Sequence, residues 1–253
     1  MRPPSPHTLS RSDALIGGAG HVASGSDREV AGRVRSGLAL GACLVAVGMA
    51  FLDVTIVNVA FPSIEAAFPG HDLPTLSWGL NAYAVLFAAL LAPLGRIADV
   101  VGRRRVFLAG LALFTRASAV CGAAPSLGVL IAARGVQAIG AAAMVPTSLA
   151  LLLAGVAPER RAVRVGLWSA AAGAAGGLGP LVGGALVQAA DWRLAFAVNV
   201  PLGVVAIVAA RCSIQKESSR RAERLPDLLG SVLLAGAAGL LAGRWSTPTT
   251  GDG

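Results

Sequence analysis

Charge is what this chain has least of. Acidic and basic residues together make up 13% of its 253 residues, against 55% apolar. A water-soluble domain needs about 25% charged residues at its surface, so a soluble globular fold is excluded. With a mean hydropathy of +0.70, the chain reads as an integral membrane protein. Histidine is nearly missing: His7, His21 and His71 all fall in a tail or a loop, which leaves no core imidazole for acid-base chemistry, metal ligation or haem. Cys43, Cys121 and Cys212 lie far apart with no ligand-like spacing, and they read as packing residues. There is no phosphate-binding glycine pattern outside the apolar runs. These absences argue against an enzyme and leave no cofactor or metal to expect. Lysine is represented only by Lys216 in a loop, so a seven-helix retinal protein, which needs a Schiff-base lysine in its last helix, finds no support. The other 20 of the 21 basic residues are arginines, most of them in short runs between apolar stretches, and a nucleic-acid partner is not expected from such a distribution.

What the chain does have is a series of long apolar runs. Residues 1–36 are rich in Pro, Ser, Gly and Arg without apolar periodicity, the composition of a disordered tail. From Gly37 on, runs recur at lengths that suit a bilayer core of about 30 Å, which takes about 20 helical residues. Spans are expected near 38–60, 77–95, 106–124, 127–153, 164–189 and 194–211, with a bend in the fourth near Pro146 and a shorter seventh run at 228–243. The resulting organisation is a tail at 1–36, a six-helix transmembrane bundle at 37–211, a basic loop at 212–227 and a seventh helix with a short end at 228–253. The cations alternate. The tail carries Arg28, Arg33 and Arg35; residues 61–76 carry none; Arg96 and Arg103 to Arg105 follow; the turn at Pro125 and Ser126 has none; then come Arg160, Arg161 and Arg164, then Arg193 alone, then a cluster from Arg211 to Arg224. Because Lys and Arg in short loops are held on the cytoplasmic side, this pattern predicts a cytoplasmic N-terminus in the cell membrane.

Within the first of those basic connections the chain reads GRIADVVGRRRVF, residues 95–107. Gly95 and Gly102 permit a tight turn, Asp99 offers a carboxylate, and Arg103 and Arg104 anchor the loop; a solvated positive-inside turn would use the same residues. The stretch resembles the loop G-x-L-A-D-r-x-G-r-k of the major facilitator superfamily, matched at Gly95, Ala98, Asp99, Gly102, Arg103 and Arg104, with Val100 where a basic residue is usual. Further matches follow in order. LDVTIVNVAFPSI (residues 52–64) is similar to the end of helix one in the drug:proton antiporters of the fourteen-helix type. RGVQAIG (134–140) is similar to their helix-four motif, with Ala138 for Gly. GLGPLVGG (177–184) is similar to the helix-five antiporter motif, with Ala175 for its leading Gly, and DWRLAFAVNVPLG (191–203) to the approach to helix six. The resemblance implies an all-α membrane fold, the six-helix N-terminal half of a facilitator, and proton-coupled efflux of drugs or other small lipophilic molecules. It also implies a conformational latch in the 95–104 loop and a helix-five segment that seals two halves against leak.

The intramembrane charges can be weighed on their own. An ionisable group inside a span costs about 2.5–3.5 kcal/mol on insertion scales, which makes it a functional candidate. Asp53 and Arg134 fall at matching depth, about 10 Å from the outer surface at 1.5 Å per residue. The pair reads either as the site that binds and releases the coupling proton or as a static brace between helices one and four. Asn58, Gln137 and Gln188 either line a cavity or bridge helices. In span five, Gly173/Gly177 and Gly179/Gly183 form two GxxxG pairs, with Gly176 and Gly184 beside them and a bend at Pro180. Arg116 lies near the midplane of span three with no acid in its own span, so it faces either a water-filled cavity or no functional constraint at all.

Facilitators pair two six-helix halves around the substrate, and this chain holds one half with a seventh run. It reads as a truncated transporter, or as one of two copies that assemble. The partners expected are a small-molecule substrate, protons, membrane lipid, and the missing C-terminal half or a second copy; a membrane fragment that does not transport is the alternative.

Overall fold

The computed structural model describes residues 13–70 and 73–214, with side chains from residue 36 on except at several positions between 73 and 80. Among the described residues every regular element is a helix: α1 Asp13–Ala67, α2 Leu73–Val101, α3 Arg103–Gly122, α4 Leu127–Leu153, α5 Pro158–Ala189, α6 Arg193–Ala197 and α7 Asn199–Ser213. Six stretches are long and apolar enough to cross a membrane: Ser36–Ala67, Asn81–Val101, Arg103–Gly122, Leu127–Leu153, Pro158–Ala189, and Arg193–Ser213, which joins α6 and α7. The six expected spans are all present. The seventh run at 228–243 and the loop from 215 on lie outside the described residues.

Two boundaries differ from the expectation. α1 continues back to Asp13, where the composition predicts a tail without structure; once a membrane helix exists, adding residues to its end carries no nucleation cost. α1 also continues through Pro62 to Ala67, so the first connection without Lys or Arg is shorter than 61–76. The break between α6 and α7 at Val198 has a covalent cause. Pro201 has no N–H to donate to the carbonyl four residues back, so the ladder fails where Asn199 opens the next helix.

The helices pack as a bundle in which α4 is central, against α3, α2 and α1, while α1 also holds α5 and α7. Small side chains allow the close approach: Ala42, Ala46, Ala50, Ala138, Ala141 and Ala142 are all buried. At the α3/α4 crossing the backbones nearly touch. A Cβ on Gly140 would lie 2.6 Å from the Phe114 nitrogen and 2.8 Å from the Gly110 oxygen, closer than any side chain can sit. α5 shows two faces. Cβ atoms at Gly179 and Gly183 would strike Thr55 and Ile56 of α1, whereas those at Gly173, Gly176, Gly177 and Gly184 would meet nothing within 4 Å. The two GxxxG pairs therefore act differently: one docks α5 on α1, and the other lies open on the bundle surface beside the exposed Pro180.

Candidate functional site

The bundle has a basic end, carrying Arg96, Arg103 to Arg105, Arg160, Arg161 and Arg211, and a far end with few charges. Between them, in the outer part of the α1/α4 contact, lies its one buried ion pair among the described residues. Asp53 is 0% exposed and Arg134 3%, and Arg134 Nη1 donates to Asp53 Oδ2. An unpaired charge in such a place would cost several kcal/mol, and the surrounding residues show how that cost is offset. Gln137, one helical turn beyond Arg134 on α4, donates from Nε2 to Asp53 Oδ1 at 2.8 Å and accepts from Arg134 Nη1 at 2.8 Å. Asn199, at the first turn of α7, donates from Nδ2 to the same Oδ1 at 3.1 Å. Ser118 of α3 then collects both amides, from Gln137 at 3.2 Å and Asn199 at 3.1 Å, and donates to the Phe196 carbonyl at 2.9 Å. The Tyr83 ring of α2 covers Arg134, 4.1 Å from the guanidinium carbon, a cation–π contact in a dry setting. Five helices and α6 thus converge on a single carboxylate.

Toward the far end the pair is closed off by apolar side chains. Val57, Phe61, Ile64, Leu76, Leu130 and Phe196 are among those that line a recess with Arg134 at its base and free space of about 10 Å³, the room of one water. Three polar atoms of the cluster have no partner: Tyr83 Oη, Arg134 Nε and Asn199 Oδ1.

Asp53 and Arg134, which the sequence puts at matching depth, meet here with Gln137 beside them; the sequence reading does not single out Ser118, Asn199 or Tyr83. Asn58 does not join them. It is exposed, because five residues along α1 turn it about 140° from Asp53. Arg116 is likewise exposed and makes no ion pair among the described residues. No group of three or more His, Cys, Asp or Glu stands together among the described residues to hold a metal.

At the basic end, Gly102 takes φ +109°, a conformation that costs glycine nothing, and so turns the chain from α2 into α3. Asp99 pairs across this turn with Arg103, Nε to Oδ1 3.0 Å, with side chains 53% and 40% exposed. Arg104 reaches further, donating to the carbonyls of Ile214 at 2.7 Å and Arg211 at 3.2 Å and so satisfying the free end of α7. Gly95 lies inside α2 and not at the turn expected of it, and a Cβ there would meet Pro146 of α4 at an ordinary contact distance of 3.7 Å.

Comparison with known proteins agrees with this architecture. Residues 43–228 match the Major Facilitator Superfamily. Multidrug resistance protein Stp of Mycobacterium tuberculosis is 41% identical over 195 residues, 76% of this chain and 36% of its own. Methylenomycin A resistance protein of Bacillus subtilis is 40% identical, over 74% of this chain and 40% of its own, and Tetracenomycin C resistance and export protein of Streptomyces glaucescens is 36% identical over 78% and 36%. The chain thus spans about two fifths or less of the length of these relatives. Among solved structures, a peptide transporter POT in complex with sulfate has a TM-score of 0.65 at 15% identity, covering 82% of this chain and 44% of that one. The human organic anion transporter MFSD10 (TETRAN) has a TM-score of 0.63 at 18% identity, over 86% and 58%; both likenesses concern the fold.

Proposed function

Since this chain belongs to the Major Facilitator Superfamily, we propose that it forms the N-terminal half of a proton-coupled antiporter that exports drugs or antibiotic-like small molecules. The cytoplasmic side is the basic end, as the distribution of arginines requires. The observation that carries the reading is Asp53, a fully buried carboxylate held by one cation and two amides inside a span, where an ionisable group is costly to place. Asp53 takes the coupling proton, and Arg134 holds it ionised until protonation or a cationic substrate changes the balance. The apolar recess above the pair keeps it from the far side until the halves rock. Relatives that are 36–41% identical over the stretch they share with this chain are named for resistance and export, which supports drug-sized substrates.

The remaining half, or a second copy, covers the glycine face of α5 at Gly173, Gly176, Gly177 and Gly184, where a partner backbone can approach closely. The Gly102 turn, with Asp99 before it and Arg103 after it, serves as the latch on the cytoplasmic side, Asp99 and Arg103 being able to exchange partners because both are half-exposed.

The test is uptake of a lipophilic cation by inverted vesicles, with and without an imposed pH gradient. Gradient-dependent uptake that vanishes in Asp53→Asn, with the protein still inserted, is the expected result. Coupling retained in Asp53→Asn overturns the assignment of the proton site. Insertion with no pH-dependent uptake at all favours a membrane protein that does not transport by itself.

A further inference from the structure

The hydrogen bonds around Asp53 suit only one of its two protonation states. Its Oδ1 accepts from Gln137 and Asn199 and its Oδ2 from Arg134, so the ionised carboxylate meets three donors. A neutral carboxyl has an O–H of its own and needs an acceptor. Oδ2 cannot supply the site for that proton, because the guanidinium opposite has no lone pair to offer. On the Oδ1 side the neighbouring acceptors are already engaged. Gln137 Oε1 holds Arg134 Nη1 at 2.8 Å and the Cys121 thiol at 3.8 Å, and Ser118 Oγ accepts two amides and gives its own proton to Phe196.

Two acceptors in the cluster are unused, Tyr83 Oη and Asn199 Oδ1, and only the second belongs to a side chain that already bonds Asp53. Asn199 is 0% exposed, and its Oδ1 has no partner although its Nδ2 is 3.1 Å from Asp53. A buried polar atom left unpaired is costly and calls for an explanation. We propose that Asn199 is the positioning residue for both charge states of Asp53: its amide donates to the carboxylate, and on protonation turns over so that its oxygen accepts the new O–H. The step adds one proton from solution to Oδ1 and breaks no covalent bond. The terminal torsion of asparagine is soft and roughly two-fold, so turning the amide exchanges N for O without moving the helix; the Nδ2 bond to Ser118 Oγ is given up in the same motion, and the Ser118 hydroxyl turns from the Phe196 carbonyl to the amide oxygen. Asn199 also opens α7 at the Val198 break; a change in its bonding therefore acts on the joint between α6 and α7, which carries the inference from proton binding to helix movement.

The charged and titratable groups that face Asp53 are Arg134 from α4, Tyr83 from α2 and Cys121 from α3. Among the described residues no such group of α5, α6 or α7 bonds to it; Arg193 of α6 is turned away to Asp191. Tyr83 Oη is also unpaired, but its ring lies against the guanidinium and its hydroxyl makes no bond to Asp53, so Tyr83→Phe is the control.

The inference rests on Asp53 taking a proton, and infrared titration of the purified chain in lipid separates the two claims without requiring transport. On acidification a protonated-carboxyl band that is absent in Asp53→Asn is expected, with a simultaneous shift of a side-chain amide band that Asn199→Val removes and Tyr83→Phe keeps. The titration midpoint of Asn199→Val should rise by about one pH unit, because the bond lost from the carboxylate is stronger than the one lost from the neutral carboxyl. Asn199→Thr, whose hydroxyl both donates and accepts, should stay near the wild type, and it also serves if the valine variant fails to fold. A carboxyl band with no Asn199-dependent amide change, or an amide change that follows Tyr83→Phe, overturns the inference and leaves the proton site standing. Absence of any Asp53-dependent carboxyl band overturns both.

Discussion

The chain contains two aspartate–arginine pairs of the same chemistry in opposite surroundings. Asp53 and Arg134 have side chains 0% and 4% exposed, joined by Gln137, Asn199 and Ser118 and covered by Tyr83. Asp99 and Arg103 are 53% and 40% exposed and share one bond across a turn. The buried pair has given up its hydration, and it persists because both carboxylate oxygens have found donors; the exposed pair keeps its water and can let go. In the buried pair a change of charge state must be answered by its neighbours. In the exposed pair it is answered by solvent, which suits a contact meant to be made and broken.

The sharpest way to break this contrast is to remove one partner from each. Arg134→Leu leaves Asp53 buried without its cation, and a loss of about 3–5 kcal/mol in unfolding stability is expected, read by thermal unfolding in detergent. Adding Asp53→Asn to that variant should return much of the loss, since the uncompensated charge is then gone. Equal losses in the single and double variants would show that the pair contributes packing rather than charge.

Burial of the first pair rests on how closely α3 and α4 approach, so the crossing itself is the next lever. Gly140→Ala puts a methyl against backbone atoms of Phe114 and Gly110 that cannot rotate away, and overpacking of this kind costs about 1–3 kcal/mol. Ser118 lies a little over one turn along α3 from Phe114 and moves with it, so the same variant should reduce coupled transport in the vesicle assay. Gly176→Ala, which meets nothing within 4 Å in this bundle, is the matched control and should leave its thermal stability unchanged. Gln137→Leu acts at a comparable scale. It removes one donor to Asp53 and one acceptor from Arg134, and a cost of about 1–3 kcal/mol is expected.

Much of this was legible in the residues. The six apolar runs set the spans, and equal depth brought Asp53 opposite Arg134 before any packing was known. Gln137 could be read because it follows Arg134 by three residues and so shares its helix face. Ser118 and Asn199 could not be read this way. They are small, neutral and set in apolar runs, and nothing in a linear pattern says that α3 and α7 meet beside α1. One signal was available for Asn199: an amide inside the apolar run before Pro201 is as much in need of a partner as the Gln137 amide. Asn58 has the same polarity and a place five residues from Asp53, yet the helical turn carries it to the surface. Polarity located candidates, and angular position decided among them. The Gly110/Gly140 contact was equally hidden, since neither glycine belongs to a GxxxG pair; only the crossing of two helices gives them meaning.

The smallest effect is expected at the exposed pair. Asp99→Asn removes a half-solvated salt bridge worth about 0.2–1 kcal/mol, and Arg104 continues to tie α3 to the end of α7 through two carbonyls. Unfolding should therefore shift little, and by less at high salt, where such pairs are screened. If the contrast between the pairs holds, Asp99→Asn changes transport far more than stability, because the bond it loses is one the working molecule exchanges rather than keeps. A drop in stability comparable to that of Arg134→Leu would mean that the turn is a structural brace, and the role of the two pairs would have to be reversed.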